Sequence, residues 1–302
     1  MYYKNTYSVL QKSVLQKLKG GVILHTLFLH ITKGGTGKSL STYQLAWVMG
    51  ELFEKRVLVV DLDPQANISF LLGINGNDII KSGGFTIAHC LSKDLNIDRK
   101  RKNIRECIYE TNIPNVHLAV GSTAMLQAEV NIVSDFNRHL ILDNALKDVE
   151  DDYDYVFIDT HSKHDQMFFN ALAATDLLIP TLQANFQNLQ KFIDTMEALE
   201  EYKENGIYAD IGGAILTTFE PNTYQGKECL EYLKDNNYEI WGVVKKQVAV
   251  VDSPMNNLPI YKYAPSNQGS WAYIRIAHNI LNYFEEDEEI PLDKKYRRKK
   301  MI

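Results

Sequence analysis

The sequence predicts an α/β protein built on a doubly wound, mostly parallel sheet, and three observations carry that prediction. Apolar, β-branched runs recur along the 302 residues, and helix-length segments separate them. The runs are near-continuous rather than alternating, which suits strands covered by helices on both faces. No internal repeat or low-complexity linker divides the chain, and 302 residues fit one large α/β domain. A sheet of this type takes its ligand at the carboxyl ends of its strands. The expected organisation is an N-terminal extension over residues 1–20, a domain over 21–284 and a charged tail over 285–302.

The elements follow in order. In the extension, Val9, Leu10, Val14, Leu15 and Leu18 suit one face of a short helix, and the segment is too short for a helix-turn-helix with a linker. The first core strand is the apolar run from Ile23 to Ile31. It leads into Lys33-Gly34-Gly35-Thr36-Gly37-Lys38-Ser39, and a run of helical character follows from Leu40 to Phe53. Further strands are expected at 57–60, 116–120, 155–158, 177–180 and 213–216, with helices over 122–150, 186–205 and 223–236. Residues 75–84 form the least regular stretch and read as a loop.

The glycine-rich segment has a physical use. Glycines let the backbone curl so that successive N–H groups face one concavity, and the helix that follows adds positive potential at its N-terminus. Such a concavity fits a triphosphate. Lys38 would then reach the β- and γ-phosphates, and the Ser39 hydroxyl would ligate Mg²⁺. The strand, glycine loop and helix together make a P-loop. It departs from the usual pattern, because Thr32 stands where the first glycine is expected and Lys33 heads the loop. Two further strand ends carry carboxylates. Asp61 and Asp63 lie two residues apart and point to one side, with Pro64 fixing the turn after them. Residues 154–159 read Asp-Tyr-Val-Phe-Ile-Asp, a buried strand that delivers the carboxylate of Asp159 to a metal's surroundings. His161, His164 and Asp165 are expected as polar residues of an active-site loop rather than as a metal site.

These motifs together resemble the ParA/MinD group of P-loop ATPases. KGGTGKS is similar to that group's deviant Walker A box, residues 61–67 to its DxDPQ(A/G)N box, and residues 215–223 and 243–273 to its later segments. The resemblance covers roughly 23–282, in the family's order. It departs after Asp159, where relatives often place two prolines and this chain has His161 and Ser162. The resemblance implies a P-loop NTPase fold and hydrolysis of ATP with Mg²⁺. By it, Gly34, Gly35, Thr36, Gly37, Lys38, Ser39 and Leu40 hold the phosphates, and Thr217 and Pro265 lie near the nucleoside. Ser39, Asp61 and Asp159 serve the metal, Asp63 orients the attacking water, and Lys33 reaches the nucleotide of a partner subunit in an ATP-bound homodimer. The family couples that dimer to non-specific DNA and to a ParB-like centromere-binding partner. Lys245, Lys246 and Arg275 are the expected DNA contacts, with Lys262 and the basic run at 294–300 as further candidates.

Composition narrows the class. No apolar run approaches the roughly 20 residues that span a bilayer. The first 21 residues lack a secretory pattern, so the expectation is a cytoplasmic, nucleoid-associated protein with no membrane partner. Cys90, Cys107 and Cys229 are widely spaced and odd in number, which argues against a disulfide framework and against an iron–sulfur reductase. The net charge is −6, but Glu285–Glu289 is acidic and 294–300 basic, which fits a solvated terminus or a nucleic-acid contact. The alternative function is a MinD-like membrane-surface positioning ATPase. It would use the stripe Trp271, Ile274, Ala277, Ile280, Leu281 and Phe284, which core packing explains with fewer assumptions. A small-molecule kinase, ligase or metallochaperone on this fold lacks a visible second-substrate motif.

Overall fold

A computed structural model describes residues 23–204, 206–207 and 209–284. The expected helix within 1–20 and the charged tail over 285–302 lie outside the described residues. The six residues of β1 (His25–His30) are all buried. Its carboxyl end turns through residues 31–37 into α1 (Lys38–Trp47), which continues as one π-helical turn at Val48–Leu52. The other strands are β2 (Val57–Asp61), β3 (Ile108–Glu110), β4 (Val116–Ala119), β5 (Tyr155–Asp159), β6 (Leu177–Gln183), β7 (Asp210–Ile211), β8 (Ala214–Phe219) and β9 (Ile240–Lys245). Among and after them run α2 (Asn67–Leu71), α3 (Gly76–Lys81), α4 (Ile87–Leu91), α5 (Met125–Ile132), α6 (Ile141–Leu146), α7 (Gln166–Ala173), α8 (Phe186–Glu204), α9 (Tyr224–Asp235), α10 (Val248–Met255), α11 (Ile260–Tyr263) and α12 (Gln268–Tyr283).

The sheet order is β3-β4-β2-β5-β1-β6-β8-β9, with β7 pairing to β6. Every pairing is parallel except β3 with β4. This is the doubly wound sheet that the sequence predicts, and β1 stands inside it between β5 and β6. Alternate residues serve opposite cores. Leu27, Leu29, Val57, Val59, Tyr155 and Phe157 face one apolar cluster, packed with α1 and α12. Phe28, Leu58, Val60, Val156 and Ile158 face the other, packed with α4 to α7. Two apolar faces per strand are why the runs read as continuous.

Two local expectations change. Residues 75–84 contain α3, because the Asn75 side chain accepts from the Asn77 N–H at 3.0 Å and caps a helix that the sequence pattern hid. The stretch 122–150 is not one helix. It divides into α5, α6 and a 3₁₀ turn at Lys147–Val149. The stripe on the last helix is core: Ile274, Ala277, Ile280 and Leu281 are buried against the sheet side that holds α1.

Candidate active site

Parallel pairing brings the candidate residues to one edge. Asp61 and Asp159 end adjacent strands in direct register, and the loop after β1 lies alongside them. Within that loop Gly35 and Gly37 have φ of +72° and +88°, a left-handed conformation that favours glycine. Gly37 leads into the first turn of α1, whose leading N–H groups find no carbonyl within the helix, so the loop and the helix start form the candidate phosphate hollow. Side chains from β6 and β8 fix the loop's carbonyls. Thr217 Oγ1 donates to Thr36 O at 2.7 Å, and Gln183 Nε2 donates to Gly35 O at 2.6 Å.

Lys38 is buried, and its ammonium donates to Lys33 O at 3.0 Å. Burial lowers its pKa, and the nearby carboxylates of Asp159 and Asp63 offset part of that. Ser39 Oγ donates to Asp159 Oδ2 at 2.6 Å. The other oxygen, Asp159 Oδ1, is buried with no hydrogen-bond partner. Burial pushes the Asp159 carboxyl up to about 7, against the opposing pull of the Ser39 hydrogen bond and of Lys38. Asp61 is fully buried too. Its Oδ2 accepts from the Ser69 N–H at 3.0 Å and the Ser69 hydroxyl at 2.6 Å, and its Oδ1 accepts from the Asp63 N–H at 3.1 Å. Burial, and then the charge of Asp159, push Asp61 up to about 8. Asp63 is buried at the turn after β2, where its Oδ1 accepts from the Gln65 N–H at 2.8 Å.

The remaining predicted residues are spread more widely. Leu40 is half-buried in α1 against the core. Pro265 is half-buried between α11 and α12, a region that α1 grips through Gln44, whose amide oxygen accepts from the Ile260 N–H at 2.8 Å. Lys33 Nζ donates to Gln187 Oε1 of α8 at 3.2 Å, within the one chain. Of the basic residues, Lys246 is paired with Glu220 at 2.9 Å and Lys262 with Glu51 at 2.6 Å. Lys245 is half-buried and Arg275 exposed on α12. Of the three polar residues His161, His164 and Asp165, two meet and one stands apart. His161 Nε2 meets Asp165 Oδ2 at 2.7 Å, with Glu129 close by, and the Asp165 hydrogen bond raises the His161 pKa. His164 turns the other way, toward Thr32 and Tyr202. Sequence reasoning missed Ser69, Gln183, Gln187, Thr195 and Tyr202. Their partners lie up to 163 positions away, and no local pattern marks them.

No helix among the described residues is long and apolar enough to cross a membrane. The three cysteines are buried and unpaired.

The comparisons with known proteins agree with this geometry. Residues 25–208 match the AAA domain family. The chain is 26% identical over 255 residues to the sporulation initiation inhibitor protein Soj of Bacillus subtilis, covering 82% of this chain and 94% of Soj. It is 27% identical over 255 residues to the chromosome partitioning protein ParA of Myxococcus xanthus, covering 82% and 85%. The cell division protein PomZ of the same organism is 28% identical over 260 residues, covering 84% and 77%. Among solved structures, a variant of Cyanothece McdA in complex with ATP superposes with a TM-score of 0.76 at 17% identity, covering 86% of this chain and 97% of that one. The septum site-determining protein MinD of Pyrococcus horikoshii, complexed with Mg-ADP, gives 0.67 at 22%, covering 85% and 96%. With the glycine loop, the two strand-end carboxylates and the parallel sheet all in register, the chain belongs to the AAA domain family and is a P-loop ATPase similar to the ParA, Soj and MinD proteins.

Proposed function

We propose that this chain is an ATP-driven partition protein that works as a nucleotide-sandwiched dimer on DNA. The observation that carries the chemistry is the Ser39–Asp159 pair: a hydroxyl 2.6 Å from a carboxylate whose second oxygen is buried and unpartnered. A buried carboxylate oxygen without a donor is costly, and a hydrated cation would satisfy it. The donor set of one hydroxyl and one carboxylate beside the candidate phosphate hollow therefore fits Mg²⁺, which Ser39 and Asp159 would hold. A bound Mg²⁺ would neutralise phosphate charge. Gly34 to Leu40 would hold the phosphates of ATP through their N–H groups, and Lys38 would leave Lys33 O to meet the charge that develops on the transferred group. Asp61 holds the turn that carries Asp63, and Asp63 would orient the attacking water. Thr217, which already fixes Thr36, and Pro265 would border the nucleoside.

Lys33 would exchange Gln187 for the partner's nucleotide. Exposed apolar side chains support a covered face. Phe70, Leu126, Phe186, Tyr224 and Val248 all stand in the first turn of a helix that follows a parallel strand, around the same edge as the hollow. Relatives named for chromosome partitioning favour DNA as the track and a ParB-like protein as the partner. Lys245, Lys246, Lys262 and Arg275 would meet phosphates, two of them after leaving their carboxylate partners. A MinD-like positioning role is the second reading, supported by the likeness to MinD.

One assay separates these. Random duplex DNA is titrated with ATP or ADP across a salt series, beside anionic vesicles. We expect binding to DNA with ATP only, falling steeply with salt, and no binding by Lys38→Ala. ATP-dependent binding to vesicles alone would favour positioning. Retained nucleotide binding by Lys38→Ala would remove the phosphate assignment.

A further inference from the structure

Thr32, at the head of the phosphate loop, is held from two sides. Its N–H donates to Thr195 Oγ1 at 3.3 Å, and its own hydroxyl lies 2.8 Å from that oxygen. On the other side, His164 Nε2 lies 2.9 Å from Thr32 Oγ1, and the Tyr202 hydroxyl lies 3.1 Å from His164 Nδ1. Thr195 and Tyr202 belong to α8, and His164 belongs to the loop after Asp159. The imidazole stacks on Phe168 with ring centroids 4.1 Å apart, which fixes its plane.

The direction of every hydrogen in this chain follows from its end. Thr195 Oγ1 donates to the carbonyl of Lys191 at 2.7 Å, and a hydroxyl has one proton to give. Thr195 therefore accepts from the Thr32 hydroxyl. Thr32, its proton committed, must accept from His164 Nε2–H. His164 is then the Nε2–H tautomer, and its Nδ1 accepts from the Tyr202 hydroxyl. The chain runs one way, from Tyr202 through His164, Thr32 and Thr195 to Lys191. It needs a neutral ring, which burial favours.

The consequence reaches the loop's first lysine. Lys33 follows Thr32 directly, its N–H closes a tight turn on Ile31 O at 2.7 Å, and its ammonium rests on Gln187 of the same α8. We propose that His164 is a positioning residue for ATP hydrolysis: it clamps the Thr32–Lys33 end of the phosphate loop to α8 from within the loop that follows Asp159. A shift of that second loop then moves Lys33. The inference rests on the reading of residues 33–39 as the phosphate site.

The test is steady-state ATP turnover by the full-length chain carrying His164→Leu, Thr32→Val, both, or His164→Gln. His164→Leu and Thr32→Val should each lower kcat by roughly tenfold, with KM for ATP within about twofold. The double variant should lose no more than the worse single one, because both break one chain. His164→Gln, which keeps a donor for Thr32, should recover most of the rate. Nitrogen NMR of the ring should report the Nε2–H tautomer, a signature that a packing role alone does not require and that wild-type protein supplies even where His164→Leu fails to fold. Wild-type kcat in His164→Leu, additive losses, or an Nδ1–H ring would each overturn the proposal. Nucleotide binding is measured in Lys38→Ala alongside. Its persistence would refute the phosphate-site reading itself, an outcome distinct from any His164 result.

Discussion

His30 closes β1 with its ring fully buried between Phe28 and Phe168, and neither ring nitrogen has a hydrogen-bond partner. Burial, and then the charge of Lys38, hold its pKa well below the ordinary value of 6.5. The sign of the pH effect follows. Below about 6.5 the unfolded chain takes up a proton that the folded ring refuses, so this residue adds a destabilising term that is absent above that pH and grows as pH falls toward the folded pKa. Asp61 and Asp159 act in the opposite sense. Raised to about 8 and about 7, they keep protons that the unfolded chain releases above 3.8, so their effect weakens the fold as pH rises through that window. A difference measurement separates the two. His30→Leu should match or exceed wild-type stability at pH 7.5, since an unpaired buried polar group costs about 1–3 kcal/mol. Its advantage should grow below pH 6.5 by up to about 1.4 kcal/mol per pH unit. Urea unfolding at pH 7.5 and 5.5 checks this, and an equal difference at both would exclude it.

At the scale of elements, the turn from β2 into α2 is tied by one carboxylate. Asp61 collects the amides of Asp63 and Ser69 and the Ser69 hydroxyl, and that hydroxyl oxygen accepts from the Gly121 N–H at 3.0 Å. Gly121 has to be glycine here, because an added Cβ would lie 2.6 Å from Asp61 Cγ. Ser69→Ala should therefore cost about 1–3 kcal/mol in thermal or urea unfolding. It should also lower turnover more than nucleotide binding, because the turn carries Asp63; unchanged turnover would show that the Asp61–Asp63 contact holds the turn without Ser69. This tie also marks how far the sequence could be read. The glycine loop and the carboxylates at strand ends are local patterns, and strand spacing placed them at one edge. The helix at 76–81 was hidden because its N-cap is an asparagine inside a stretch rich in Gly and Asn. The break within 122–150 was hidden because periodicity continues through the turns. The contacts of Thr32 and of Asp61 with Ser69 depend on how separate elements meet, which no spacing rule supplies.

For the whole molecule, one edge of the sheet gathers both the chemistry and the exposed apolar side chains. Phe70, Phe186 and Tyr224 are 71%, 68% and 76% exposed there. An ATP-bound dimer would cover them. Sedimentation should show Asp63→Ala as a persistent dimer with ATP, because nucleotide binds but is not spent, whereas Lys33→Ala should remain mostly monomeric. A monomeric Asp63→Ala in saturating ATP would count against the sandwich. The two-sided sheet has a consequence of its own. Sliding β1 by one residue against β5 merely swaps Leu27 and Leu29 for Phe28, one oily surface for another, so greasiness penalises the error little. The same slip would part Ser39 from Asp159 and strand a carboxylate in the dry interior. Ser39 and Asp159 would thus double as alignment pins while the chain folds, and Ser39→Ala should yield misthreaded, aggregation-prone protein on refolding, which light scattering would register.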